Sequence, residues 1–247
     1  GVTLARRSPI ASVTAWARHV TEGAFESVAS IPNGDREEVW VLVRRTVDAQ
    51  TVRYLEILEE EWTPLFEAAD PPVVYGFTVD AGLAFDSEGG QTVFSVPHLI
   101  GKAVDIVADG RPQPRQLVDE TGNVTLSRAS HRTLIGLPFR TEIGLLTPEV
   151  GTGSGTAQSN AMRTGEVTLR FLDTIGAKVV DGDGNVETVP FRSLGVAALD
   201  QPPQPFTGPL AINMNGWNRG RSELTVVQEQ PLPLHLLAVI RKFTVND

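Results

Sequence analysis

Residues 15–58 read AWARHVTEGAFESVASIPNGDREEVWVLVRRTVDAQTVRYLEIL. The stretch is dense in β-branched and aromatic residues. It is broken at Thr21-Glu22-Gly23, at Pro32-Asn33-Gly34-Asp35 and at Asp48-Ala49-Gln50, all turn formers. This pattern predicts four strands: Ser12 to His19, Phe25 to Ile31, Val39 to Val47 and Thr51 to Leu58. Strict alternation places Val39, Val41, Val43 and Val47 on one face of the third strand, and Trp40, Leu42 and Arg44 on the other. Four short antiparallel strands in about 45 residues match one β-propeller blade, a unit stable only when its faces are covered by neighbours. No other segment repeats it.

Outward from this stretch the chain stays strand-rich. The acidic run EEEWTPLFEAADPP predicts a short helix from Glu59 to Ala69, stopped by Pro71-Pro72, and marks the first domain boundary. Beyond it, strands are expected at Tyr75 to Val79, Gln91 to Ser95, Ala103 to Ala108, Val124 to Leu126 and Arg132 to Leu137. The breaks are Gly89-Gly90, Asp109-Gly110 and Thr121-Gly122-Asn123. GTGSGTAQSN reads as a loop, PPQPFTGPLAI as a proline-rich connector, and two or three strands precede and two follow that connector. The expected fold is mainly β: a propeller-blade-like four-stranded meander followed by small β-barrel or β-sandwich modules. The expected domains are 1–70, 71–150 and 151–247.

Composition narrows the chemistry. The 247 residues are 41% hydrophobic and 21% charged, as in an ordinary globular protein, and no apolar run approaches the roughly 20 residues of a spanning helix. The first residue is Gly1, which fits a processed or partial chain. With no cysteine, disulfides, thiolate metal sites and cysteine nucleophiles are excluded. The net charge of −9 argues against a phosphate-gripping surface and suits a wall past which a polyanion slides.

The candidate motifs lack the partners their chemistry needs. Gly151, Gly153 and Gly155 suggest a phosphate loop, but neither a βαβ context nor a Gly-Lys-Ser/Thr end accompanies them. Asp181, Asp183 and Asn185 start like a calcium loop, yet Val186 stands where glycine is required and Arg192 where a bidentate glutamate is required. A hairpin turn accounts for them better. His19, His98, His131 and His235 are scattered and match no metal-binding spacing. Glu37-Glu38 and Glu59-Glu60-Glu61 have the residue type of a glycosidase pair, but acidic pairs at turns are usually solvated. Asn123-Val124-Thr125 is a glycosylation sequon without a secretory signal. Trp16, Trp40, Trp62 and Trp217 fit a core or interface better than a sugar platform. The expected site list is therefore empty: no catalytic residue, no cofactor and no metal.

A further signal lies in the order of six segments: 15–32 (AWARHVTEGAFESVASIP), 38–56 (EVWVLVRRTVDAQTVRYLE), 98–110 (HLIGKAVDIVADG), 136–158 (GLPFRTEIGLLTPEVGTGSGTAQ), 167–179 (VTLRFLDTIGAKV) and 224–239 (LTVVQEQPLPLHLLAV). Together they resemble the C-terminal part of the tail nozzle proteins of short-tailed phages, also called tail tubular protein B. The resemblance covers roughly residues 12 to 241. It implies that Trp16, Arg18, His19 and the strand Phe25 to Ala29 belong to a propeller-like blade, either as part of a longer nozzle whose earlier blades lie outside this chain or as a shortened relative whose blade is completed by another subunit. It also implies a structural, non-enzymatic role in the virion tail, as a homo-oligomeric ring, usually of six copies. Such a ring meets the tail adaptor and fibre or needle proteins and encloses the channel through which phage DNA leaves, without sequence-specific binding. The segment after GTAQ departs from that family: Ser159-Asn160-Ala161-Met162-Arg163 holds one arginine where the family tends to carry a basic cluster. The alternative from another class is a carbohydrate- or receptor-binding β-module of a tail fibre or surface protein.

Overall fold

The computed structural model describes residues 2–7, 14–34, 36–59, 76–148, 151–152, 155–156, 161–191, 203–214, 218–219 and 223–246. Most of these residues lie in antiparallel strands, and the one helical element among them is a short 3-10 turn at Pro97–Leu99. The mainly-β expectation holds, in the form of open sheets: among the described residues none closes into a barrel. Contacts divide the chain into two compact units, Gly1–Phe139 and Arg140–Asp247.

The first unit contains β1 (Val2–Arg7), β2 (Thr14–His19), β3 (Ala24–Asn33), β4 (Arg36–Val47), β5 (Gln50–Leu58), β6 (Asp80–Ser95), β7 (Ala103–Ala108), β8 (Arg111–Leu117) and β9 (Asn123–Leu137). They form a β1-β2 hairpin, a β3-β4-β5 sheet and a sheet of order β6-β9-β7-β8. The expected four-stranded meander is thus three-stranded, because β2 pairs with β1 and not with β3. The cause is local. Gly23 is not part of a tight hairpin turn: it lies against β4, where a Cβ would sit 2.5 Å from the Arg44 carbonyl oxygen, and it leads straight into β3. The β4–β5 and β7–β8 connections are two-residue turns with positive φ at both positions: Asp48 and Ala49 (48° and 58°), and Asp109 and Gly110 (46° and 74°). That is the type I′ geometry whose twist matches paired strands.

Gly89-Gly90, expected as a break, lies inside the 16-residue β6. The register with β9 skips from Asp86↔Arg132 to Gln91↔Ser130, so the glycines form a bulge and not an end. Likewise Val124 to Leu126 and Arg132 to Leu137 are parts of one strand, β9. No strand covers Gly76 to Val79; β6 starts at Asp80. The expected helix at 59–69 and the boundary that follows it lie outside the described residues, apart from Glu59. Phe94, Leu99, Val104, Ile106 and Ile135 form the core of the four-stranded sheet and are almost inaccessible to solvent. Each such side chain contributes about 1.5–3 kcal/mol relative to exposure.

The second unit contains β10 (Thr141–Leu145), β11 (Gly151–Thr152), β12 (Gly155–Thr156), β13 (Ala161–Thr174), β14 (Lys178–Asp181), β15 (Val186–Thr188), β16 (Phe206–Asn213), β17 (Asn218–Arg219), β18 (Leu224–Gln228) and β19 (Leu236–Asn246). One sheet runs β10-β18-β14-β15; in the other, β13 pairs with β16, β17 and β19. A single apolar cluster draws Leu169 and Phe171 from β13, Ile212 from β16, Val179 from β14 and Val226 from β18, so the two sheets share a core. The division falls between Phe139 and Arg140 and not at residue 150, because β10 pairs with β18, more than 75 residues later in the chain.

Two loops, one in each unit, repeat a local design. In Asp119-Glu120-Thr121-Gly122-Asn123 and in Asp181-Gly182-Asp183-Gly184-Asn185, the first residue donates its N–H to the asparagine carbonyl and accepts the glycine N–H on its own carbonyl. Its carboxylate accepts backbone N–H bonds from the third and fifth residues. Gly122 and Gly184 have the same left-handed φ, 80° and 85°. Their surroundings differ: a Cβ on Gly122 would lie 2.8 Å from the Pro97 Cα, whereas one on Gly184 would meet nothing within 4 Å. Gly184→Ala is expected to cost about 1–2 kcal/mol for the left-handed backbone alone, and Gly122→Ala at least about 1 kcal/mol more. Denaturant unfolding of the two variants checks this; equal losses would refute the close-approach account.

Candidate interaction surfaces

The first unit is tied together at a polar joint. The alternation that buries Val41, Val43 and Val47 on β4 also turns Arg45 inward, where its side chain is 2% exposed. All three guanidinium nitrogens are used. Nε and Nη2 donate to the two carboxylate oxygens of Glu56 on β5 at 2.9 and 2.8 Å. Nη1 donates to Thr21 Oγ1 and to the Glu22 carbonyl, each at 2.6 Å, and Nη2 reaches Asp80 Oδ1 on β6 at 3.4 Å. Thr21 in turn donates to Asp80. Burial opposes the charge, but the bonds Arg45 donates to Glu56 and the attraction of Asp80 outweigh it and raise the Arg45 pKa above the ordinary arginine value. Around this centre Lys102 pairs with Glu22, the Tyr54 hydroxyl donates to the His98 carbonyl at 3.4 Å, and the Tyr54 and His98 rings meet edge-on at 6.2 Å. The β3-β4-β5 sheet is therefore joined to the β6 sheet by polar side chains.

The opposite face of the β3-β4-β5 sheet is open. The register arranges it in rows: Ala24, Arg44 and Arg53; Ser27, Leu42 and Leu55; Ala29, Trp40 and Ile57; then Ile31 and Glu38. Leu55 is 67% exposed and Ile31 48%. Glu26 pairs with both Arg44 and Arg53, and the Arg53 bond comes first among the causes that hold the Glu26 carboxyl below its ordinary pKa. Trp40 Nε1 donates to Glu38 at 3.1 Å.

The residues singled out for chemistry are not brought together. His19 lies on β2; His98 Nε2 is 2.9 Å from the Ala81 carbonyl; His131 stands 3.8 Å from Asp109; the His235 backbone pairs with Thr174. Among the described residues no group of three or more His, Asp and Glu has metal-binding geometry. Asp181 spends both carboxylate oxygens on its own loop, with Asn185 Nδ2 on the second, which is the hairpin reading of that motif. Gly151 and Gly155 lie on the paired β11 and β12, with Gly151 opposite Thr156. Glu37 accepts from Ser30, and Glu38 from Asn33 and Trp40, so this acidic pair serves its own hairpin. Glu60, Glu61, Trp62 and Trp217 lie outside the described residues. Trp16 is not a core residue here: it is 72% exposed on the β1–β2 hairpin.

Sequence reasoning assigned no role to Arg45. The signal was present, since period-two alternation from Val41 and Val43 reaches Arg45, and a cation on an apolar face needs a buried partner. Arg45→Met leaves Glu56 and Asp80 without their cation, with side chains only 19% and 20% exposed. It is expected to cost about 2–4 kcal/mol, whereas Arg53→Met, which removes an exposed and solvent-screened pair, is expected to leave stability almost unchanged. Chemical denaturation of the two variants measures the difference, and comparable losses would contradict the assignment of the joint to Arg45. No protein-family model matches the sequence, and no curated protein matches it.

Proposed function

We propose that the chain is a structural subunit of a phage tail, a nozzle-like component of a homo-oligomeric ring around the channel through which DNA is ejected. The observation that carries this reading is the order of the six segments between residues 15 and 239. The fold is compatible with it: open antiparallel sheets, one with apolar residues exposed on its outer face, suit side-by-side packing of β-modules. The net charge of −9 suits a wall that DNA passes without adhering. On this reading the mechanism is geometric. Identical subunits close a ring, sheet edges and apolar faces form the contacts, and the acidic surface keeps the channel free of bound polyanion.

The second reading, a carbohydrate- or receptor-binding module, is favoured by one observation: the indole of Trp16 is largely exposed. Specific glycan binding that is lost in Trp16→Ala would select it. Electron microscopy of the protein produced from its complete reading frame tests the first reading. Closed rings with a central channel are expected, and a monomer at every concentration would overturn it.

A further inference from the structure

From the register of the β3-β4-β5 sheet we infer that its outward face is a self-complementary docking surface for a second copy of this chain. The inference goes beyond the ring reading and does not rest on it. The face is polar at its two ends and apolar in the middle. At one end stand Arg44 and Arg53, with Glu26 shared between them. At the other stands Glu38, with Glu59 exposed just past the end of β5. Between them lie the Leu42–Leu55 row and the Trp40–Ile57 row.

Rows on one face of a strand repeat about every 7 Å, and strands lie about 4.8 Å apart. A two-fold axis lying between the two faces, parallel to the rows and midway between the two apolar rows, lays the face of one copy on that of the other with the rows in reverse order and β4 over β4. Arg44 and Arg53 then meet the partner's Glu38 end, and the Leu42–Leu55 row meets the partner's Trp40–Ile57 row. Such an isologous contact closes at two copies. The opposed charges set the orientation, because a parallel arrangement would place arginine on arginine and glutamate on glutamate. The exposed Leu55 and Ile31 supply apolar area that a lone sheet leaves in water. A face of three strands and four rows falls well below the about 800 Å² per partner of a stable complex, so the dimer is weak and concentration-dependent.

Sedimentation analysis of the whole chain over a wide concentration range, with variants on the face, tests this. Wild type is expected to move from monomer toward dimer, and Leu55→Lys and Arg53→Glu are each expected to weaken association by about tenfold or more. Glu38→Arg alone is expected to weaken it similarly. An equimolar mixture of the Arg44→Glu and Glu38→Arg chains, however, sets glutamate opposite arginine at both ends of the β4–β4 contact, and is expected to form a heterodimer tighter than either homodimer. That rescue requires both variants to be folded, which separates loss of contact from loss of structure. Wild type that stays monomeric throughout, association undiminished in Leu55→Lys, or a mixture no tighter than its components would overturn the proposal.

Discussion

A single buried arginine sets the arrangement of the first unit. Arg45 sits at the meeting of three elements: β5 through Glu56, the segment before β3 through Thr21 and Glu22, and β6 through Asp80. A guanidinium offers five donors in a fixed plane, so its acceptors must lie where the fork points, and a bidentate carboxylate fixes that direction. An apolar contact would tolerate small sliding between the two sheets. This joint does not, because displacement by an ångström or two leaves a desolvated charge uncompensated. The joint thus gives the sheets a defined relation at a modest net gain in stability.

The same alternation that creates the joint creates the open face. Period-two geometry assigns odd residues of β4 to the inside, where Val41, Val43, Arg45 and Val47 are buried. It leaves Trp40, Leu42 and Arg44 on the other side with their β3 and β5 neighbours. A sheet apolar on both sides is ordinarily covered on both sides. Here one cover is intramolecular and polar, while the other side presents apolar residues framed by opposite charges. That division separates the contacts that hold the first unit together from the face proposed to dock a second copy.

Much of this was legible in the residues. The strand composition, the Asp48-Ala49 and Asp109-Gly110 turns and the loop at Asp181 to Asn185 are local properties, and local chemistry predicts them correctly. What escaped was non-local. Gly89-Gly90 reads as a stop but is a bulge, because only the long β9 running opposite keeps β6 continuous across it. The strand at Thr14 to His19 reads as part of the meander, but its partner Val2–Arg7 shows no comparable signal in the sequence. The boundary at Phe139/Arg140 depends on pairing between β10 and the distant β18. Arg45 reads as one more surface cation until the alternation is carried through it, and even then its partner on β6 lies 35 residues away. The open face was legible as a need for cover, and its charge polarity emerged only with the register.

Arg45 is the central joint between the β3-β4-β5 sheet and the β6 sheet, and native-state hydrogen exchange of the Arg45→Met protein tests that role most directly. The predicted result is regional: amides of β3, β4 and β5 lose protection by orders of magnitude, while those of β7 and β9, held by the core around Ile106 and Ile135, keep wild-type rates. Unchanged protection in β3 to β5, or an equal loss across both sheets, would contradict it.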